Sequence, residues 1–358
     1  MELLLQLMRG ESVRGASGEA WNRLPALAQR HHLAASLHRQ LKHLPAVAVP
    51  AGLRVAMARA AAAAVARNLP RWHLLLSAIP FKGPAIALQA YGDLASRAFN
   101  DLDVLVRPRD ADQARQTLLA LGYRERHTPA GAAGAFLRSH KRGCHLRSAG
   151  GEADVDLQWA FTQAYGAAAI DVDALFHTTE WLAGPGGSVP ALMPAAHMLV
   201  LCVHGAKHRW HRLDWLCDVT ELARRRELDW DGLFRGAEAL GLRRIVATGL
   251  LLADAMLAAP LPAGVIQRAA ADPVARRLCM DVCEEFQGGS AVHTDAYTLL
   301  RFYGRSRERV RDRLRILWAW TTTPTRHDLE WVKLPPGLTG LYYALRPLRL
   351  ALAVMTRR

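Results

Sequence analysis

The chain has 358 residues, a formal net charge of +14 and a sequence isoelectric point near 10.2, with 51% hydrophobic and 22% charged residues. That composition excludes a disordered polymer and a membrane bundle, and the length suits one large domain or two to three smaller ones with a buried core. Five cysteines at wide, irregular spacing give no disulfide framework and fit a reducing, cytoplasmic setting.

The basic excess, 46 Lys and Arg against 32 acids, fits two situations equally. One is an Arg-rich, solvated helix surface; the other is an acidic partner such as nucleotide phosphate, RNA or anionic lipid. The first residues, "MELLLQLMRGES", carry no basic lead and no cleavage signal, so no secretory peptide is expected. Residues 17–44 and 51–79 read as helices, with apolar side chains at three- and four-residue spacing among Ala and Arg. The Pro-rich stretch 44–53 separates them.

The texture changes from about residue 78 to 162. "NDLDVLVRP" alternates as a strand does, and "DADQARQTLLALGY" has helix periodicity ended by Gly122. "HKRGCHLRS", a Ser-Ala-Gly-Gly turn at 148–151 and "EADVDLQWAF" together predict a hairpin. Beyond about 170 the chain is again helical, over 194–226, 230–258 and 262–287, and its tail combines a Pro-Pro break with a basic, aromatic, amphipathic end. The longest apolar stretch, 191–206, is interrupted by Pro194, His197 and His204, so no stable membrane insertion is expected. These segments predict an α+β fold with a small mixed sheet: a helical N-terminal region (1–75), a catalytic core (76–165) and a helical C-terminal region (166–358) that completes the site.

Within the core, Asp101 and Asp103 lie at i and i+2 of a strand and face one way, while Leu102, Val104 and Val106 face the other. Two carboxylates about 6 to 7 Å apart on one strand face need a cation, a shared proton or bulk water. Upstream, "FKGPAIAL" puts Lys82 and Gly83 at a helix entry, where backbone N–H groups hold phosphate and glycine permits close approach. Downstream, "ADVDLQW" offers Asp154 and Asp156 on one face of the second hairpin strand. Three carboxylates meeting at one point would make a site for a hard divalent ion.

The pattern "FKG…R…NDLDVLV…GY…DVDLQW" resembles the nucleotidyltransferase superfamily of DNA polymerase beta type. It is most similar to the bacterial uncharacterised nucleotidyltransferase family, some of whose members accompany lasso-peptide biosynthesis genes. The resemblance implies a polymerase-beta-like core and makes Asp101, Asp103 and Asp156 both the catalytic acids and the ligands of Mg²⁺ or Mn²⁺. It also implies that Lys82 and Gly83 meet the triphosphate of ATP or another NTP, with Arg97 near it. Pro84 stands where a second small residue is usual, removing one N–H. Gln158 stands where the family has a histidine, keeping a hydrogen-bonding group that does not titrate.

The run from His197, "HMLVLCVHGAKHRWHRLDWLCDVTEL", puts His197, His204, His208 and His211 on roughly one helical face. His204 and His208 have the spacing of a zinc pair, but Gly205 follows where a catalytic Glu would stand, and no third ligand is evident. Packing between helices is the plainer alternative. The same run resembles a family segment that would place Lys207, His208 and Arg212 near the phosphates; Asp218 would orient one of these bases or, equally, form a plain ion pair. The likeness extends over most of 75–350, including "LPPGL…LYYALRPLRL", and is only general over the N-terminal helices.

Three further signals stay outside this scheme. Residues 304–315 read as a basic helix with a solvated face, or alternatively one that contacts RNA or a peptide. The tail helix suits a membrane surface, but Trp318 and Trp320 are expected to bury it against the core. Cys144 and His145, being adjacent, do not make a nucleophilic dyad.

The function expected from the resemblance is metal-dependent transfer of a nucleoside monophosphate to a hydroxyl or phosphate of a small-molecule or ribosomal-peptide acceptor, with pyrophosphate released. Nucleotidylation of tRNA or protein, and a non-catalytic nucleotide- or RNA-binding module, are the alternatives.

Overall fold

The computed structural model describes residues 1–355 apart from 14, 46–48, 69–77, 98, 100, 127–135, 137–141, 152–153, 162–169, 185–186, 226 and 289–295. Four helices open the chain: α1 (Glu2–Arg9), α2 (Gly18–Arg30), α3 (Ala34–Lys42) and α4 (Ala51–Asn68). Ser17 caps α2 by accepting the Ala20 N–H at 3.2 Å, supplying one of the partners that a first helical turn lacks. The stretch 17–44 is broken in two at His31-His32, where His32 adopts a left-handed φ of 56°. The second predicted helix, 51–79, holds as α4; residues 69–77 lie outside the described residues, and Ile79 at its predicted end belongs to a strand instead.

The sheet region follows as β1 (Ile79–Pro80), a short α5 (Pro84–Ile86) extended by a wider turn to Tyr91, β2 (Asp101–Leu105), α6 (Ala111–Ala120), β3 (Arg124–Glu125), β4 (Gly143–Arg147) and β5 (Asp154–Gln158). Strand order is β1-β2-β5-β4-β3; β2 and β5 run parallel and every other pair is antiparallel. The period-two reading of this region holds. Leu102, Val104, Cys144, Leu146, Val155 and Leu157 form one buried face with Leu118 of α6, and the acids take the opposite face. Gly122, with φ at +86°, ends α6: its N–H reaches the Leu119 carbonyl, and the Tyr123 N–H reaches Leu118.

After α7 (Val172–Phe176) comes a feature the sequence reading missed, an antiparallel ribbon of β6 (Thr179–Gly184) and β7 (Gly187–Leu192). Its Gly- and Pro-rich composition reads as a loop, yet Val189, Ala191 and Leu192 are fully buried. Among the described residues, ten α-helices and a 3-10 turn at Pro336–Leu341 follow: α8 (Pro194–Lys207), α9 (Leu213–Arg225), α10 (Trp230–Ala239), α11 (Arg243–Leu257), α12 (Ala263–Ala270), α13 (Pro273–Gln287), α14 (Ala296–Arg305), α15 (Val310–Thr322), α16 (Arg326–Trp331) and α17 (Tyr342–Met355).

The N-terminal helices share one apolar core with the helices after the sheet, joining Leu4, Leu24 and Leu37 to Leu216, Leu250 and Leu278. The two helical regions therefore stabilise each other by apolar burial. Among the described residues, no helix is long and apolar enough to cross a membrane.

Candidate functional site

The acid-bearing sheet face looks across a cavity of about 450 Å³ at α8, α9 and the turn between them. The nine residues selected from sequence, Lys82, Gly83, Arg97, Asp101, Asp103, Asp156, Lys207, His208 and Arg212, all line that cavity.

On the sheet wall, the parallel pairing of β2 with β5 makes Asp103 and Asp156 register partners, so both side chains leave the sheet at one level of one face. Asp101 stands one pleat away on the same face. Gln158 donates from Nε2 to Asp156 Oδ2 at 2.6 Å, and the same amide lies 3.4 Å from Asp103 Oδ1. Burial raises the carboxyls of Asp101 and Asp156 above the usual carboxylate range, and the charge of Asp103 raises both further. Asp154, paired in register with Asp101, is instead held by Arg147 through two bonds of 2.6 Å; that guanidinium lowers its carboxyl, and it takes no place on the cavity wall.

Lys82 departs from expectation. Its Nζ lies 2.8 Å from Asp103 Oδ1, so the cation among the acids is an ammonium from the chain itself. Its charge also holds Asp101 and Asp156 lower than burial alone would put them. Among the described residues, no group of three or more His, Cys, Asp or Glu is placed to hold a metal ion. The donor chemistry nonetheless fits a hard divalent cation, because three carboxylates on one cavity offer only oxygen. For such an ion to bind, the Lys82 ammonium must withdraw from Asp103.

On the helical wall, α8 stops at Lys207, and both Arg209 and Trp210 adopt a left-handed φ of 54°. The Trp210 ring is fully buried and seats against two glycines: a Cβ at Gly205 would stand 2.3 Å from it, and one at Gly249 would stand 2.8 Å from it. Gly205 thus occupies the position after His204 because the ring needs the space. Gly205→Ala is expected to cost about 1–3 kcal/mol by overpacking, read as a lower denaturant midpoint with an unchanged slope.

This reversal corrects the picture of four histidines on one helix face. His197 lies apart, its Nε2 2.6 Å from the Phe81 carbonyl and its Nδ1 2.6 Å from the Gln89 side chain. His204, His208 and His211 gather around Trp215, with ring centroids at 5.1, 5.3 and 4.7 Å.

Burial pushes His197 down to about 4 and His208 to about 3, and His204 falls well below its ordinary value; Lys82 and Lys207 add to the last two shifts. The unfolded chain takes up protons at these positions below about pH 6.5 while the folded chain does not, so stability falls on acidification. Each such imidazole contributes a loss of about 2 kcal/mol by pH 5, partly offset in the carboxylate range by Asp101, Asp156 and Asp218, whose carboxyls are raised. A thermal midpoint that fell steadily between about pH 7.5 and 5 would bear this out; a flat profile over that range would refute it.

Two of the expected cations line the cavity but are each engaged by an acid. Arg97 lines the cavity, but its guanidinium is committed to Asp218 through two bonds of 2.7 Å, and Asp218 also accepts the Tyr91 hydroxyl at 2.9 Å. Asp218 therefore braces Arg97, not Lys207, His208 or Arg212. Arg212 pairs with Asp214 at 2.9 Å and lies over Trp215. Among the described residues Lys207 has no ion-pair partner, although it shares the cavity with Asp103 and Asp156. Burial, then the charge of Lys82, lowers its ammonium.

Sequence reasoning also missed the aromatic lining of Phe81, Phe99, Phe161 and Trp215, and His32 from the N-terminal helices. Phe81 and Phe99 flank the quoted motifs and were within reach. His32 gave no signal, since only the packing of the N-terminal region brings it here.

An α+β fold that presents register-paired acids to a basic helical wall suits the nucleotidyltransferase class to which the motifs point. The chain belongs to the family described as uncharacterised nucleotidyltransferase, whose model matches residues 17–258. No curated protein matches it. The match covers the expected span from 75 to 258, reaches further toward the N-terminus by taking in α2 to α4, and ends short of the tail, where the likeness was expected to run to about 350.

Proposed function

We propose that the protein is a Mg²⁺-dependent nucleotidyltransferase that moves a nucleoside monophosphate from ATP or another NTP to a hydroxyl or phosphate of an acceptor. The observation that supports this most is the placement of Asp101, Asp103 and Asp156 on one wall of a single cavity and of Lys207, which has no ion-pair partner among the described residues, on another. Asp101, Asp103 and Asp156 would hold the ion, which supplies charge neutralisation of the triphosphate and activation of the attacking oxygen. Lys207 pairs with phosphate oxygens as a point charge. Gly83, with φ at +54°, lets backbone approach the ligand where a side chain would be strained. Trp215 offers a stacking surface. In the transfer, the acceptor oxygen–Pα bond forms, the Pα–O bond to the β-phosphate breaks, pyrophosphate leaves, and Asp156 accepts the proton of a hydroxyl acceptor.

A cavity of about 450 Å³ is of ligand size. That favours an acceptor that is small, or that enters by one extended end as a ribosomal peptide does, over folded tRNA. All five cysteines are free, which suits a reducing cytoplasm where nucleoside triphosphates are abundant. The Lys82–Asp103 ion pair supports a second reading, a nucleotide-binding module without catalysis.

Titration with Mn²⁺ and ATP, followed by paramagnetic resonance, separates the two. Transfer predicts an ATP-dependent bound ion that Asp103→Asn abolishes, and pyrophosphate release with a competent acceptor. ATP binding that never recruits the ion would establish the second reading and sink the first.

A further inference from the structure

α15 buries Asp312 beside Ile316 and turns most of its large apolar side chains outward. Its inward positions include Asp312, which is 2% exposed and ion-paired at 3.2 Å with the fully buried Arg307. The sequence reading of 304–315 as one solvated basic helix therefore fails: the chain breaks after α14, and a guanidinium enters the interior. The outward stripe of α15 is apolar, with Val310, Leu314, Leu317 and Trp318 exposed by 65, 60, 50 and 72%. Their spacing of four, three and one places them on one helical face. Trp318 therefore does not bury the tail against the core.

α17, which packs on α15, repeats the inversion. Arg346 is buried and donates to Asp328 at 2.9 Å, while Leu348 is 57% exposed. A helix surface selected only for water does not hide its charges and present tryptophan and leucine.

Charge decides among the occupants of this face. Arg311 and Arg315 flank the stripe with side chains 64 and 67% exposed. Residues 296–355 hold eleven Lys and Arg against four acids. A second copy meeting the same face would set these arginines against their own like charges. RNA offers phosphate but no apolar phase for Val310, Leu314 and Leu317. An anionic bilayer offers both, and tryptophan favours the boundary between headgroups and acyl chains. α15 has 13 residues, and no described helix is long and apolar enough to cross a bilayer, so the contact is peripheral.

We propose that α15, with the adjoining face of α17, docks the protein flat on an anionic membrane. Leu314, Leu317 and Trp318 enter the headgroup boundary, and Arg311 and Arg315 meet the lipid phosphates. The contact lies outside the family match, which ends at 258, and does not depend on what the cavity catalyses.

The test is vesicle co-sedimentation of the full-length protein at physiological salt, with phosphatidylcholine alone and with added phosphatidylglycerol. Binding to the anionic vesicles is expected. The charge-conserving Leu314→Ser/Trp318→Ser variant should bind at least about tenfold more weakly, and Arg311→Gln/Arg315→Gln about tenfold more weakly or worse. Both replace exposed groups, so their thermal midpoints should match the parent. Quenching of tryptophan emission by bromine-labelled lipid reads the same contact in the unsubstituted protein, and its absence would overturn the proposal. Equal vesicle binding by the Ser variant would overturn it by showing simple electrostatic adsorption. So would a dimer, or RNA binding, that the Ser variant abolishes while the parent ignores vesicles.

Discussion

Asp156→Asn is expected to reduce nucleotidyl transfer by at least about a thousandfold, and to leave the protein more heat-stable than its parent. The two effects share one cause. Burial and the facing Asp103 hold the Asp156 carboxyl above its usual range, which means that the folded state tolerates its negative charge poorly. The amide removes that repulsion and keeps an oxygen to accept the Gln158 N–H now given to Asp156. Relief of about 1 kcal/mol would raise the thermal midpoint of a chain this long by about 1 °C. Asp103→Asn should remove transfer as completely but without the gain in stability, because it also takes the Lys82 ammonium's closest partner, 2.8 Å away. Pyrophosphate release and a thermal melt of each variant check this. An Asp156→Asn protein that melted lower and still transferred would show a structural acid, and would end the assignment.

The sequence carried this site unevenly. Alternation in "DLDVLV" was enough to put Asp101 and Asp103 on one face, because a strand has period two whatever its neighbours. It did not show why Asp156 and not Asp154 completes the group: both alternate correctly. Register with β2 sets each beside an acid, Asp156 by Asp103 and Asp154 by Asp101; the difference comes from β4, whose Arg147 lies opposite Asp154 and takes its carboxylate. The helical wall was legible as residue types and not as geometry. His204 to Arg212 reads as continuous helix, yet Trp210 wedges against Gly205 and Gly249 and turns the chain. A glycine in a helix gives no hint of which distant ring will lie on it. Ion-pair partners were the least legible: Asp218 stands in sequence beside the bases near the site, and its partner Arg97 is 121 residues away.

That distant pair is the basis of the second large effect. Asp218→Ala is expected to cost about 3–5 kcal/mol of stability, and Arg97→Ala less. Both side chains are buried and each holds the other through two hydrogen bonds, with the Tyr91 hydroxyl as a third arm. Removing the aspartate strands a guanidinium that does not shed its proton at any pH the fold survives. The nearest remaining acid, Asp214, is 4.0 Å from it and already engaged by Arg212.

Removing the arginine strands a carboxylate, which has an escape. Burial already raises the Asp218 carboxyl, and without Arg97 it is raised further, so the acid neutralises by taking a proton. The folded Arg97→Ala protein then binds a proton that the unfolded chain holds only below about pH 4. Its stability deficit must therefore shrink as pH falls from neutrality toward that value, whereas the deficit of Asp218→Ala must not. Denaturant titrations of both variants at pH 7.5 and 5.5 distinguish the two. Equal, pH-independent losses would mean that this pair contributes through packing and not through charge.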